Sequence, residues 1–133
     1  MPPPIRPTPP GTGPPVNAAK PVKLWEAIAR EEGFYVLNSR AQRNNNPGNI
    51  EYGEFTQAHG ATGTDGRFAI FETAVDGFNC LRALLSGPAY VNLTLEQWIM
   101  KYAPPTENQS DAYLENILHW CQATPQTLVS ALL

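Results

Sequence analysis

Arg43-Asn44-Asn45-Asn46-Pro47-Gly48-Asn49-Ile50, a short distance after Glu31-Glu32-Gly33, carries more information than any other part of this 133-residue chain. Asparagines in series, a proline and a glycine do not build a hydrophobic core. They form a stiff turn that holds amide donors and acceptors in place. Such a turn suits an uncharged ligand rich in hydroxyl and amide groups. The carboxylates that close the segment before it add an acid. Together they point to polysaccharide hydrolysis.

Working upstream, Leu24 to Glu32 reads as a helix stopped by Gly33, a residue suited to a left-handed C-cap. At about 100° per residue, Leu24, Trp25, Ile28 and Ala29 make one apolar stripe. Glu32 falls near the centre of that stripe and Glu31 at its edge. A glutamate on the buried face, at the negative end of the helix dipole, has its pKa raised by desolvation and by the dipole. A general acid that stays protonated near neutral pH needs such a place. The alternative is a solvated helix end, and the neighbouring Asn-rich turn weighs against it.

Downstream, the sequence predicts two short strands near Asn49–Tyr52 and Arg67–Phe71. A Gly- and Thr-rich excursion ending in Thr64-Asp65-Gly66 joins them into a small hairpin. Helices follow. Thr73 caps one that turns Val75, Phe78, Leu81, Leu84 and Leu85 inward. Thr94-Leu95-Glu96-Gln97 is a capping box for a helix that runs to the prolines at 104 and 105. Ser110 opens another through Tyr113, Leu114, Ile117, Leu118 and Cys121, and Thr124-Pro125 starts a short terminal helix. The expected architecture is α+β, a mostly helical domain over 22–133 with a hairpin inserted after the first helix. Residues 1–21 hold nine of the 14 prolines and read as a flexible arm or linker.

Composition excludes several classes. A net charge of −3 with nine scattered Lys and Arg leaves no basic face for nucleic acid. No apolar run approaches the roughly 20 residues that span a bilayer, so no membrane insertion is expected. Pro2-Pro3-Pro4 stands where a signal peptide would need its apolar region. Cys80 and Cys121 lie in apolar helical patterns and read as buried free thiols, with a single bridge as the alternative. His59 and His119 have no partner at metal spacing, and neither a metal site nor a cofactor is expected.

Glu32-Gly33-Phe34, Ser39-Arg40, the 43–50 turn, Gly63-Thr64-Asp65-Gly66-Arg67-Phe68-Ala69-Ile70-Phe71 and Tyr102-Ala103-Pro104-Pro105-Thr106-Glu107-Asn108 occur in that order. Over residues 23–125 the chain resembles a peptidoglycan-hydrolase domain of the lysozyme-like superfamily, as in phage endolysins, virion-associated lysins and secreted muramidase toxins. More distantly it is similar to the flagellar glucosaminidase group. The resemblance implies a helical lobe and a hairpin lobe with a sugar-binding cleft between them. It implies Glu32 as the acid acting on the β-1,4 bond between N-acetylmuramic acid and N-acetylglucosamine. It also implies a monomer that acts on the cell wall after delivery by a phage, a virion tail or a secretion machine. An immunity protein is then a further partner.

The other site residues carry two readings each. Asp65 is the first candidate for a second carboxylate, with Glu51 and Glu54 behind it, or it is only a turn former. Asn46 and Asn49 bind acetamido groups or satisfy the backbone of the turn. Tyr52 and Tyr102 stack on sugars or join the core. Ser39 orients Glu32 or caps a turn. Trp98 and Trp120 read as core. Direct hydrolysis and lytic transglycosylation, which needs one acid/base glutamate, stay open. So does a non-catalytic binding or structural module of the same fold.

Overall fold

The computed structural model describes residues 20–106 and 109–133. The proline-rich arm expected over 1–21 lies outside these residues except for Lys20 and Pro21, as do Glu107 and Asn108. The described chain is mixed α and β, about 48% helix with one two-stranded antiparallel sheet.

Helix α1 (Leu24–Glu31) buries Leu24, Ala27, Ile28 and Ala29 completely. Each buried Leu or Ile contributes about 1.5–3 kcal/mol through removal of apolar surface from water. The helix packs on α4 (Ala74–Ser86) and α6 (Ser110–Cys121). It ends in a Schellman arrangement, with Phe34 N–H bonded to Ala29 O at 2.9 Å and Gly33 N–H to Arg30 O at 3.2 Å. Gly33 sits at φ +78°, a conformation that costs glycine little. A short helix α2 (Arg40–Arg43) follows and leads into the Asn turn.

The strands differ from expectation. They are β1 (Ala61–Thr64) and β2 (Ala69–Phe71), paired Ala61 to Phe71 and Thr64 to Ala69 with an irregularity between Ala61 and Gly63. The segment 49–52, expected as the first strand, makes only an isolated bridge from Glu51 to Phe68. Asn49 has φ +45°, which bends the chain where an extended strand would begin. An unforeseen helix α3 (Glu54–Ala58) then forms, started by a 2.9 Å bond from Gly53 N–H to Thr56 Oγ1.

Helix α4 is capped by Thr73, which accepts from Asp76 N–H, and it buries Gly77, Cys80, Leu81 and Leu85. Val75, expected inside, is 67% exposed. Helix α5 (Leu95–Tyr102) has both halves of the Thr94/Gln97 capping box. The terminal helix expected from Thr124 is instead a turn followed by a 3-10 segment, Val129–Leu132. Thr124 and Thr127 hydroxyls close the turn locally, while the Pro125 and Thr127 carbonyls accept from Glu96 and Leu95 N–H at the start of α5. Those carbonyls are no longer available to a helix of their own.

The main core gathers α1, α4, α5 and α6 around Trp98, Tyr113, Leu81, Leu85 and Ile117, and Trp120 packs against it partly buried. A second, smaller cluster of Ala69, Phe71 and Cys80 lies under the hairpin. Both cysteines are buried free thiols, and burial pushes Cys80 up to about 11 and Cys121 up to about 12. Among the described residues no helix is long and apolar enough to cross a membrane, and no group of side chains is arranged to hold a metal.

Candidate active site

Where the main core meets the hairpin, a cleft of about 270 Å³ opens, with Glu32 among its lining residues. Leu84, Lys101 and Tyr102 line it from the helices, Tyr90 from the turn between α4 and α5, and Ile50, Glu51, Arg67 and Phe68 from the hairpin side. Glu32 is the C-cap of α1 and only 6% exposed. Its two carboxyl oxygens have separate donors. Asn49 Nδ2 donates to Oε1 at 3.0 Å and Tyr113 Oη donates to Oε2 at 2.7 Å. Desolvation raises the Glu32 pKa, and the bonds from Asn49 and Tyr113 pull it back only in part. Tyr113 is itself held far above its ordinary pKa by burial and by the nearby Glu32, so it stays a donor.

Glu31 was expected at the edge of the buried stripe, yet it is 4% exposed. Helix α1 is covered on two sides, so a 100° step from Glu32 leads to α6 and not to water. There Glu31 accepts from Asn116 Nδ2 at 2.9 Å. Both glutamates are buried, but only Glu32 lines the cleft.

The Asn turn proves mostly architectural. Asn45 at φ +52° and Asn49 at φ +45° occupy the left-handed region that asparagine tolerates better than most residues. Asn44 Nδ2 bonds Asp65, and Asn45 Nδ2 bonds the carbonyls of Phe71 and Glu72. Asn46 is fully buried. Its amide donates to Ile50 O and Ala69 O and accepts from Ile50 N–H, which docks the turn on the hairpin. Its expected role on substrate gives way to this backbone role. Asn49 alone of the four faces the acid. Its Oδ1 is buried without a hydrogen-bond partner.

Asp65, the first candidate for a second carboxylate, does not line the cleft. It is clamped by Arg40 at 2.5 and 2.9 Å, by Asn44, and by the backbone N–H groups of Arg67 and Phe68. The Arg40 guanidinium, above all, holds its carboxyl far below the usual range. The turn-forming reading is the one the geometry supports. Glu51 does line the cleft and pairs with Arg67 at 3.1 Å, whereas Glu54 is exposed at the start of α3.

Ser39 caps α2 by accepting from Gln42 N–H, and its hydroxyl donates to Gly33 O at 2.6 Å. It therefore fixes the Gly33–Phe34 peptide, one residue beyond Glu32, and its hydrogen bonds go to backbone and not to the carboxyl. Tyr52 is exposed and outside the cleft lining. Tyr102 lines the cleft, stacks on Trp98 with ring centroids 5.1 Å apart, and donates to Gly48 O at 2.8 Å. A Cβ at Gly48 would stand 2.7 Å from that hydroxyl and 2.8 Å from Leu81, so the turn needs glycine there.

Tyr113 is the site residue that sequence reasoning missed. It lies in the apolar stripe of α6, where a tyrosine reads as core, and 81 positions separate it from Glu32. No local pattern marks it. Comparison of the chain with family models, with curated proteins and with solved structures gave no match.

Proposed function

We propose that this chain cleaves the glycan strand of the bacterial cell wall, with Glu32 as general acid on the bond between N-acetylmuramic acid and N-acetylglucosamine. In this reading the domain is of the lysozyme-like kind. The observation that carries it is a desolvated carboxyl at a cleft, held through both oxygens by uncharged donors. Burial favours the protonated form of Glu32, and Asn49 and Tyr113 fix the direction in which the proton is offered. Transfer of that proton to the glycosidic oxygen lets the bond to C1 break, with positive charge spread over C1 and the ring oxygen. Glu32, now ionised, takes a proton from the incoming hydroxyl.

Two acceptor groups fit. Water would give a reducing end, and the sugar's own 6-hydroxyl a 1,6-anhydro end. The positions of the other carboxylates favour the second, since Asp65 is held away by Arg40 and Glu51 is paired with Arg67. Mass analysis of fragments released from purified sacculi distinguishes them. Glu32→Gln should lower release by about 10²–10⁴-fold while the fold persists. Wild-type protein that binds sacculi but releases no soluble fragments would establish a binding module instead.

A further inference from the structure

We infer that the cleft selects strands that carry carboxylates, and that Lys101 is the residue that reads them. This rests on the proposed function and concerns the same site. Two cationic side chains line the cleft, one from each side. Arg67 is met by Glu51, whose Oε2 accepts from both Nε and Nη2 at 3.1 Å. Lys101 differs. Its Nζ donates to the neutral carbonyl of Ala89 at 3.1 Å and lies 5.2 Å from the Tyr90 ring centre. No ion pair among the described residues involves it.

The formal charges then leave a surplus. Glu51 and Arg67 cancel, Glu32 is neutral in the form that acts as acid in the proposed function, and Lys101 contributes one positive charge at an exposed position on the cleft wall. An ammonium has three donors, and the Ala89 carbonyl takes one. The carbonyl and the ring hold the long side chain in one place, so less conformational freedom is lost when an anion arrives. A neutral N-acetylglucosamine polymer offers nothing to that charge. A cell-wall strand offers carboxylates, on its stem peptides or on the lactyl groups once the peptides are removed.

The test compares wild type, Lys101→Met and Lys101→Arg on acidic cell-wall glycan oligomers and on neutral N-acetylglucosamine oligomers of equal length, at low and high salt. The expected result is a preference for the acidic strand that Lys101→Met lowers about three- to tenfold, the range for one partly exposed charge-assisted bond. The loss falls in KM and not in kcat, Lys101→Arg retains the preference, and salt weakens it in the wild type and in Lys101→Arg but not in Lys101→Met. Strands stripped of peptide by an amidase separate the two sources. An effect that persists on them assigns the lactyl carboxylate, and one confined to intact strands assigns the peptide. Equal losses on acidic and neutral oligomers, or no loss on either, overturn the inference. If the wild type cleaves neither, the proposed function fails, and Kd for the same two ligands decides the charge reading alone: a ratio that Lys101→Met erases supports it, and equal affinities overturn it.

Discussion

Tyr113→Phe removes one hydroxyl from beside Glu32 and leaves the ring in its place. The lost bond is 2.7 Å long and joins two side chains that are 1% and 6% exposed. A hydrogen bond to an ionised group contributes about 1.5–3 kcal/mol. Its loss raises the Glu32 pKa further beyond the rise that burial already causes, because the bond stabilises the ionised form more than the neutral one. Because the folded pKa lies above the unfolded one, the native state holds the proton longer, and stability falls as pH rises between the two values. The variant extends that window upward. Below the ordinary carboxyl pKa, Glu32 is protonated in both states, and the substitution costs only a bond between neutral groups. At higher pH the deficit grows to about 1.5–3 kcal/mol and then levels off. Urea denaturation followed by tryptophan fluorescence at a series of pH values measures this without reference to any activity. A deficit that is the same at every pH would refute the assignment of Tyr113 to the ionised carboxyl.

Other substitutions separate acid, scaffold and turn. Glu32→Gln should match or exceed wild-type stability at neutral pH, with the advantage gone below the ordinary carboxyl pKa, because the penalty for burying a charge is removed; denaturation at two pH values checks it. Asn46→Ala should cost about 2–4 kcal/mol by leaving three backbone groups of the turn without their partner. Asn49→Ala should lower stability in the same assay, more at high pH than at low, because it removes a donor to the Glu32 carboxyl and places alanine at φ +45°. It should also weaken sugar binding. Asp65→Asn should lower Tm, with any loss of glycan cleavage following the loss of folded protein, since its partners are all structural. Gly77→Ala should destabilise by about 1–3 kcal/mol or more, because a Cβ there would meet Asn45 O at 1.9 Å.

Helices were legible wherever a cap and an apolar period agreed, as at Thr73 and Thr94. The hairpin was misplaced because β-propensity in 49–52 yields to the left-handed backbone of Asn49, which no period reveals. Glu32 was found from helix phase, but the same phase misjudged Glu31, since burial there depends on α6 arriving from the far end of the chain. The Asn turn was recognised and its purpose only partly so. Amides that satisfy a backbone and amides that grip a sugar look alike in sequence, and only the hairpin docked beside them shows that Asn44, Asn45 and Asn46 are already occupied. Asp65 lost its catalytic reading to Arg40, a partner 25 residues away.

The two donors on Glu32 come from different parts of the fold, Asn49 from the turn docked on the hairpin and Tyr113 from the helical core. The carboxyl thus works as a latch between them. Any breathing motion that swings the hairpin off the helices breaks the Asn49 bond and admits water to the carboxyl, and losing the desolvation that dominates its raised pKa makes the proton easier to release. The raised proton affinity of Glu32 therefore belongs to the closed molecule and falls as water reaches the carboxyl.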